Sequence, residues 1–184
     1  MTRSEKFNIE AASVLPPPRP LLKWAGGKTQ LLSEILPRAP QVYGRFIEPF
    51  IGGGAVFFAV QPKCGIIADS NPELINLYST IAGDVDGVIA CLNEFTNSED
   101  AFYAARKMDW SVLSAPQAAA RTIYLNRTCF NGLYRVNKKG QFNVPYGKYK
   151  NPRILDEAGL RAASHLLSQT TILCQDYKTV LKEH

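Results

Sequence analysis

The sequence lacks the features by which membrane-spanning and exported proteins are recognised. No apolar run reaches the ~18 residues that would cross a bilayer. The N-terminal segment is interrupted by Glu5 and Glu10 and contains no apolar stretch of the kind found in a signal peptide. We therefore predict no membrane partner, and we expect residues 1–20, with prolines at 16–18, to form a loose tail.

Disulfide-forming and metal-ligating patterns are also absent. The sequence has four cysteines and two histidines, with no C-x-x-C pair and no shared ligand spacing. We predict buried free thiols, no metal and a reducing compartment such as the cytoplasm. The cysteines are Cys64, Cys91, Cys129 and Cys174, and the histidines are His165 and His184.

Acidic residues are missing from one long segment. Residues 110–155 contain no Asp or Glu but eight Lys and Arg residues, although the whole chain carries only +5. A cationic segment on a mildly acidic remainder is compatible either with a solvated surface or with an insert that binds a polyanion. Aromatic residues interleaved with the cations favour nucleic acid.

Short apolar strands alternate with helical segments along the chain. The pattern predicts strands at 45–50, 65–71 and 170–175, and helices at 29–36, 55–60, 85–95 and 116–126, with others starting near Pro72 and after Asp156. This alternation predicts an α/β fold with a parallel sheet. The glycines at 52–54, Asp69 and Asp176 each follow a strand, so we expect them to meet at the carboxyl edge of that sheet.

Residues 21–32, LLKWAGGKTQLL, resemble a phosphate-binding loop at first sight, because two glycines precede Lys28 and Thr29. The Walker pattern G-x-x-x-x-G-K-[ST] requires a glycine where this sequence has Leu22. It also requires a preceding strand, where this sequence is rich in proline. A nucleotide triphosphatase is therefore a poorly supported alternative.

The glycines at 52–54 offer a better ligand pocket, because a glycine turn between strand and helix lets a ligand approach the backbone. Phe57 occupies the third glycine position of the dinucleotide fingerprint, which weakens an NAD site. Asp69 ends the next strand, where a carboxylate can accept ribose hydroxyls. The pattern favours a ribose-containing ligand; an ordinary glycine turn with a strand-end Asp is the alternative.

Four segments, in the order in which they occur along the chain, form a distinctive sequence pattern. They are PLLKWAGGKTQLL, FIEPFIGGGAVFF, ADSNPELINLY and NRTCFNGLYRVNKKGQFNVPYGKY. From about Pro20 onwards, the chain closely resembles the Dam-type, site-specific DNA adenine-N6 methyltransferases. The resemblance implies a Rossmann-like α/β methyltransferase fold with a helical and hairpin DNA-recognition insert. It also implies S-adenosyl-L-methionine as methyl donor and double-stranded DNA as substrate.

The resemblance assigns cofactor-binding positions. Trp24 is expected near the methionine moiety of the cofactor, and Lys28 at the carboxylate of that moiety, because a lysine acts as a point charge. Without the resemblance, the two residues would be interpreted as a buried Trp and a surface Lys. Glu48 matches a loop whose carboxylate can face the ammonium group, and Asp69 matches the ribose-binding acid. The remaining cofactor positions are Pro49 and Phe50 in that loop, and Asp176 and Tyr177 at the edge of the adenine ring.

The resemblance also assigns DNA-binding positions in the basic segment. Arg135 matches a base-reading arginine, whose fork suits a bidentate contact to guanine. Phe130 and Asn131 match residues beside the flipped base, and Leu133 matches one that contacts the major groove. Lysines suit phosphate contacts and tyrosines suit stacking or hydrogen bonding, which applies to Lys138, Lys139, Lys148, Lys150, Tyr146 and Tyr149. Phe142 reads more simply as the core of a small hairpin. The family's best-known target is the adenine of GATC.

The family's catalytic motif, (Asp/Asn/Ser)-Pro-Pro-(Tyr/Phe), does not occur in these 184 residues, since the consecutive prolines at 16–18 follow Leu15. In the family order the motif is expected shortly after His184. We therefore expect the chain to represent the N-terminal two-thirds of an enzyme, to bind the cofactor weakly at best and to transfer no methyl group alone. A DNA-binding module of the same fold without catalysis is the alternative. Solitary, restriction-modification and phage roles all stay open.

The resemblance divides the chain into four parts. Residues 1–20 form the tail, and residues 21–84 form the cofactor-binding part of the methyltransferase domain. Residues 85–155 form the DNA-recognition insert, and residues 156–184 return to the methyltransferase domain.

Overall fold

The structure, a computed structural model, describes residues 15–184. Most of the predicted tail therefore lies outside the described residues, and residues 15–20 contain no helix or strand. The strands are β1 (Phe46–Glu48), β2 (Gly65–Asp69) and β3 (Thr171–Cys174). The α-helices are α1 (Leu32–Ile35), α2 (Ala55–Val60), α3 (Pro72–Gly83), α4 (Val85–Asn93), α5 (Glu99–Lys107), α6 (Ala115–Thr128), α7 (Glu157–Leu167) and α8 (Tyr177–Glu183).

The three strands form one parallel sheet in the order β1-β2-β3. Successive residues of the central strand β2 point to opposite faces. Ile67 packs into the main core with residues of α2, α3 and α7, whereas Ile66 and Ala68 pack with Val180 of α8. This arrangement confirms the predicted α/β class with a parallel sheet.

Capping side chains fix where the main helices begin. Asn71 accepts hydrogen bonds from the first backbone N–H groups of α3, with Pro72 in the first turn. Ser114 and Gln117 form a reciprocal capping box at the start of α6. Asp156 caps α7 by accepting from the N–H of Gly159, and the helix begins after Asp156 as the sequence pattern predicted.

Helices α3 and α6 each contribute several buried side chains to the main core. Their buried side chains pack with aromatic residues of α2 and α5. The largest fully buried side chains include Phe57, Phe58, Leu77, Tyr78, Ile81, Phe102, Tyr124 and Leu125. The loops that follow β1 and β2 therefore rest on a closely packed base.

Two helix predictions differ from the structure. The predicted helix at 29–36 is instead a 3₁₀ helix (Lys28–Leu31), the short α1 and a second 3₁₀ helix (Leu36–Arg38). Pro37 lies in the first turn of that last element. Backbone N–H groups in the first turn make no intrahelical hydrogen bond, so proline is tolerated there. Helix α5 was not predicted, although Ser98 caps it and its first turn is acidic and its last turn basic.

The cysteine prediction was right about pairing and partly wrong about burial. All four cysteines are free. Only Cys129 is buried, whereas Cys91 is half-buried and Cys64 and Cys174 are exposed. Cys64 precedes β2 and Cys174 ends β3, so both lie at the rim of the sheet rather than in the core. Among residues 15–184, no helix is both long and apolar enough to span a bilayer.

Candidate functional site

The carboxyl ends of β1 and β2 bring two acids to one edge of the sheet. Glu48 is the last residue of β1 and Asp69 the last residue of β2. The parallel register places Glu48 beside Ile67 and Asp69 beside Cys174 of β3. Both acids are half-buried. The strand pattern predicted Asp69 at this edge, and Glu48, which only the resemblance assigned to the site, lies at the same edge.

A glycine loop connects β1 to α2 and lies directly beside Asp69. The N–H of Ile51 donates to the carbonyl of Ala68 (2.9 Å), which holds the loop against β2. The N–H of Gly52 donates to Asp69 Oδ2 (3.2 Å). Gly54 has φ of 76°, and an added Cβ would lie 2.7 Å from the Phe58 ring. Only glycine fits there, because the left-handed backbone and the close ring both exclude a side chain.

Trp24 packs on the outside of this loop. A Cβ atom at Gly52 would lie 2.9 Å from Trp24 Cδ1, and a Cβ atom at Gly53 would lie 2.9 Å from the carbonyl oxygen of Leu22. The N–H of Gly27 donates to the carbonyl of Trp24 (2.9 Å), closing a turn before Lys28. In the described part of the chain no strand precedes this turn. The segment therefore lacks the strand on which a Walker phosphate loop is built.

Two side chains that the sequence analysis missed hold these pieces in place. Asn126 of α6 pairs with both backbone groups of Lys23: its Oδ1 accepts from the N–H, and its Nδ2 donates to the carbonyl, each at 2.9 Å. Tyr78 of α3 is fully buried, and its hydroxyl donates to the carbonyl of Gly52 (2.7 Å). Burial, with Glu48 and Asp69 nearby, raises the pKa of Tyr78 well above its usual range, so it remains a donor. Neither residue carries a local sequence signal, because each acts across a long sequence separation.

Glu48 has the most perturbed electrostatics of the rim carboxylates. Burial raises the pKa of Glu48 from its usual 4.5 to about 7, although the Lys28 charge and the N–H of Phe57 both favour the ionised form. The Phe57 N–H donates to Glu48 Oε2 at 3.0 Å. A cation placed beside this carboxylate would promote its ionisation. The group is therefore suited to meeting a positively charged ligand atom at neutral pH.

A cavity of about 240 Å³ opens between the Trp24 turn, the glycine loop and the two acids. Of the predicted cofactor residues, five line it: Trp24, Lys28, Glu48, Phe50 and Asp69.

Three other predicted cofactor residues do not line this cavity. Pro49 lies between two lining residues. Asp176 caps α8 by accepting from the N–H of Lys178 (2.9 Å). Tyr177 packs on Phe50, with ring centroids 5.0 Å apart. Its contact with the site is therefore through Phe50. In the described residues no three His, Cys, Asp or Glu side chains group as metal ligands.

The basic segment forms a short hairpin, residues 135–143, below called the 135–143 hairpin. Val136 and Phe142 face each other across it, and Phe142 is buried, which confirms its predicted packing role. Asn137 shapes the turn: its Oδ1 accepts from the N–H groups of Lys139 and Gln141. Lys138 is exposed at this turn.

Arg135 lies at the base of the 135–143 hairpin and is exposed. Its Nε donates to the side-chain oxygen of Asn143 (2.8 Å), which orients the guanidinium fork. Its Nη2 lies 3.4 Å from the Asn143 carbonyl. These two contacts leave other N–H donors of this five-donor group for a ligand.

Loops on either side of the hairpin carry the other predicted DNA-binding residues. Phe130 and Leu133 are exposed apolar side chains. Asn131 adopts a left-handed backbone, and its N–H donates to the Tyr149 hydroxyl (3.0 Å). Tyr146 donates its hydroxyl to Asn97 (2.7 Å) and is therefore engaged inside the protein. Lys148 and Lys150 are exposed.

Three of the eight cations in residues 110–155 have partners within the protein. Arg121 is buried and pairs with Glu73 (2.8 Å). Arg127 donates to the Leu21 carbonyl (3.0 Å), and burial lowers its pKa. Arg153 pairs with Asp156 (2.7 Å). Arg121 is thus withdrawn from solvent and Arg127 is half-buried, whereas Arg153 is exposed but paired with an acid. The remaining cations are exposed and lie on and beside the 135–143 hairpin.

Comparison with known proteins identifies relatives over nearly the whole chain. A family model described as D12 class N6 adenine-specific DNA methyltransferase matches residues 24–184. The type II methyltransferase M.MjaIII of Methanocaldococcus jannaschii is 43% identical over 183 residues, which cover 88% of this chain and 63% of that protein.

Two bacterial relatives match the chain with similar identity and coverage. The type II methyltransferase M1.LlaDCHI of Lactococcus lactis subsp. cremoris is 42% identical, over 90% of this chain and 61% of its own length. A DNA adenine methylase of Haemophilus influenzae is 39% identical, over 87% of this chain and 57% of its own length. The chain thus spans about three fifths of the length of these relatives.

Proposed function

Because the chain belongs to the D12 class N6 adenine-specific DNA methyltransferase family, we propose that it carries the cofactor-binding and DNA-binding parts of such an enzyme. The activity is methyl transfer from S-adenosyl-L-methionine to the N6 amino group of adenine in double-stranded DNA. One observation carries the proposal: Trp24, Lys28, Glu48 and Asp69 surround a single cavity at the carboxyl edge of the sheet. The free cysteines accord with a cytoplasmic location.

The chemistry of the cavity fits this methyl donor group by group. Lys28 offers a positive charge for its carboxylate, and Glu48 offers a negative charge for its ammonium group. Asp69 uses its oxygens to accept from Gly52 and Asn71, and each oxygen retains a lone pair for a ribose hydroxyl. Gly52 and Gly53 line the cavity with main chain alone, so a ligand can approach their backbone closely. The donor supplies an electrophilic methyl group on a sulfonium centre.

Exposed groups on and beside the 135–143 hairpin are suited to duplex DNA. The oriented fork of Arg135 suits the two acceptors of guanine in the major groove. Lys138, Lys139, Lys148 and Lys150 suit phosphates, which set position but not sequence. Phe130 is apolar and exposed, and we propose that it fills the duplex beside an extruded base. GATC is the proposed target.

Methyl transfer needs one more group than these residues offer. The N6 lone pair of adenine is delocalised into the ring, so acceptors must hold the two N6 hydrogens while the amine attacks in line. No (Asp/Asn/Ser)-Pro-Pro-(Tyr/Phe) sequence is present among the 184 residues. We therefore propose that this chain binds the donor and the duplex but does not by itself catalyse the transfer.

Binding and transfer are tested with separate variants and assays. Titration calorimetry with S-adenosyl-L-methionine should give a measurable affinity, and Asp69→Asn should weaken it about tenfold or more, because a charge-assisted hydrogen bond is lost. Asp84→Asn is the matched control, since Asp84 caps α4 away from the cavity and asparagine caps equally well. An equal loss in both variants would contradict the assignment of Asp69.

Transfer of a tritiated methyl group onto duplexes with and without GATC tests the second half of the proposal. The chain alone should incorporate no label above a no-protein control. Incorporation by the chain alone would overturn the proposed requirement for an additional motif. Duplex binding without any donor binding would instead favour a DNA-binding module.

A further inference from the structure

One aromatic side chain lies between the cavity and the 135–143 hairpin. The ring of Tyr134 stacks on Trp24, with centroids 4.6 Å apart and planes inclined by 21°. Its second aromatic neighbour is Phe142 of the hairpin, which it meets edge-on at 5.9 Å. Tyr134 directly precedes Arg135 in the sequence. A shift of this ring would therefore move both the wall of the cavity and the start of the base-reading hairpin.

Tyr134 is fixed at its far end by a buried ion pair. Its hydroxyl donates to Glu73 Oε2 at 2.6 Å. The other oxygen of Glu73 accepts from Arg121 Nη1 (2.8 Å) and from the Thr122 hydroxyl (2.9 Å). The side chains of Arg121 and Glu73 are only 3% and 4% exposed. Burial and the adjacent Glu73 charge raise the pKa of Tyr134 above its usual range, so the hydroxyl remains a donor.

The buried pair has a cost that points to a role other than stability. Removing two charges from water offsets most of their mutual attraction, so such a pair adds little net free energy of folding. What the pair provides is an ionised acceptor held at one place in the core. Arg121 also donates to the carbonyl groups of Ala105 and Arg106, which fixes it to the end of α5. The acceptor for Tyr134 is therefore held by both α3 and α6.

We propose that Tyr134, anchored on the Glu73–Arg121 pair, is a positioning residue that couples cofactor binding to DNA binding. The proposal rests on the proposed function, since it requires the donor in the cavity and the duplex at the hairpin. A ligand packed against Trp24 restricts the surface on which Tyr134 stacks. Because the hydroxyl bond holds the other end of the ring, this restriction passes to the hairpin. Thermodynamic linkage makes the effect reciprocal.

Hydrogen exchange measured by mass spectrometry tests the coupling directly. Adding S-adenosyl-L-methionine to the 184-residue chain should slow amide exchange at residues 24–28 and 51–55, around the cavity. It should also slow exchange in the 135–143 hairpin, which does not line the cavity. Tyr134→Phe keeps the ring but removes the hydroxyl, so it should abolish protection of the hairpin while retaining protection around the cavity.

Tyr124→Phe is a closely matched control. Tyr124 also stacks on an aromatic ring, that of Phe95 (4.3 Å, 11°), and its hydroxyl also donates to an internal acceptor, the Thr96 carbonyl (2.8 Å). It lines neither the cavity nor the hairpin. This variant should lose comparable stability and keep the protection of the hairpin. Equal behaviour of the two variants, whether both lose it or both keep it, overturns the proposal.

The wild-type response separates failure of this proposal from failure of the proposed function. Protection around the cavity without protection of the hairpin refutes the coupling and leaves the cofactor site standing. No protection in either region at saturating donor refutes both. Duplex affinity provides the reciprocal measurement: the donor should tighten wild-type binding about fivefold or more, and this gain should disappear in Tyr134→Phe but not in Tyr124→Phe.

Discussion

Replacing Glu48 by glutamine should stabilise the chain at alkaline pH while weakening its affinity for the methyl donor. Glutamine has nearly the same shape, and its side-chain oxygen can still accept from the N–H of Phe57. What it removes is a charge that the folded chain ionises reluctantly. The variant thus separates the contribution of Glu48 to stability from its contribution to binding.

The sign and size of the effect follow from the pKa of Glu48, which burial raises from 4.5 to about 7. Between these values the folded chain binds a proton at Glu48 that the unfolded chain has released. Stability from this group is therefore complete below pH 4.5 and is lost as pH rises through about 7. The difference of about 2.5 pKa units sets an upper bound of about 3.5 kcal/mol, at about 1.4 kcal/mol per pKa unit. Because water still reaches Glu48, we expect about 1–2 kcal/mol.

Urea denaturation of wild type and Glu48→Gln at about pH 5 and about pH 8.5 measures the difference. The variant should gain on wild type as pH rises, whereas Glu34→Gln, at an exposed position, serves as control. Donor affinity of the wild type should fall on acidification through about pH 7, because protonated Glu48 no longer attracts an ammonium group. A glutamine variant that is less stable than wild type at about pH 8.5 would refute the reasoning.

Two other substitutions probe the hairpin and the Trp24 turn. Arg135→Ala should cost about 1–3 kcal/mol of duplex affinity and relax sequence preference. Lys148→Ala should instead lower the affinity for every duplex sequence evenly and reduce the salt dependence of binding by about one unit of slope. Competition binding at several salt concentrations distinguishes the two variants, and equal sequence preference in both would contradict the base-reading role. Asn126→Ala should lower the free energy of unfolding in urea by about 1–3 kcal/mol, because it leaves the backbone groups of Lys23 without their partners. An unchanged midpoint would mean that water replaces the amide.

The sheet and its rim were predictable because they follow from local patterns. Apolar strands followed by glycine or Asp predict both the parallel sheet and the meeting of the glycine loop with Asp69 at its edge, whereas Glu48 was assigned to the site by the resemblance alone. The ends of the strands were less accurate, since β1 is Phe46–Glu48 where 45–50 was expected. Twist and loop geometry, which the sequence pattern does not record, decide where pairing stops.

The internal contacts of the basic segment were not predictable. Arg121 counts as one more cation in the sequence, and only the packing of α6 on α3 reveals that it faces Glu73. Asn126 meets Lys23 across 103 residues. Asp176 caps α8, a structural role that its place after a strand does not reveal. Such pairings depend on which helix face turns inward, which single-sequence periodicity leaves undetermined.

The wall of the cavity at Gly52 is made of main chain, and this limits how the cavity can be redesigned. The amide, the carbonyl and the Cα of this residue are each occupied, by Asp69, Tyr78 and Trp24 respectively. A substitution at Gly52 therefore cannot enlarge the pocket. A bulkier synthetic donor, such as one bearing an extended alkyl group, would have to be admitted by trimming Phe50, whose exposed ring is the replaceable part of the boundary.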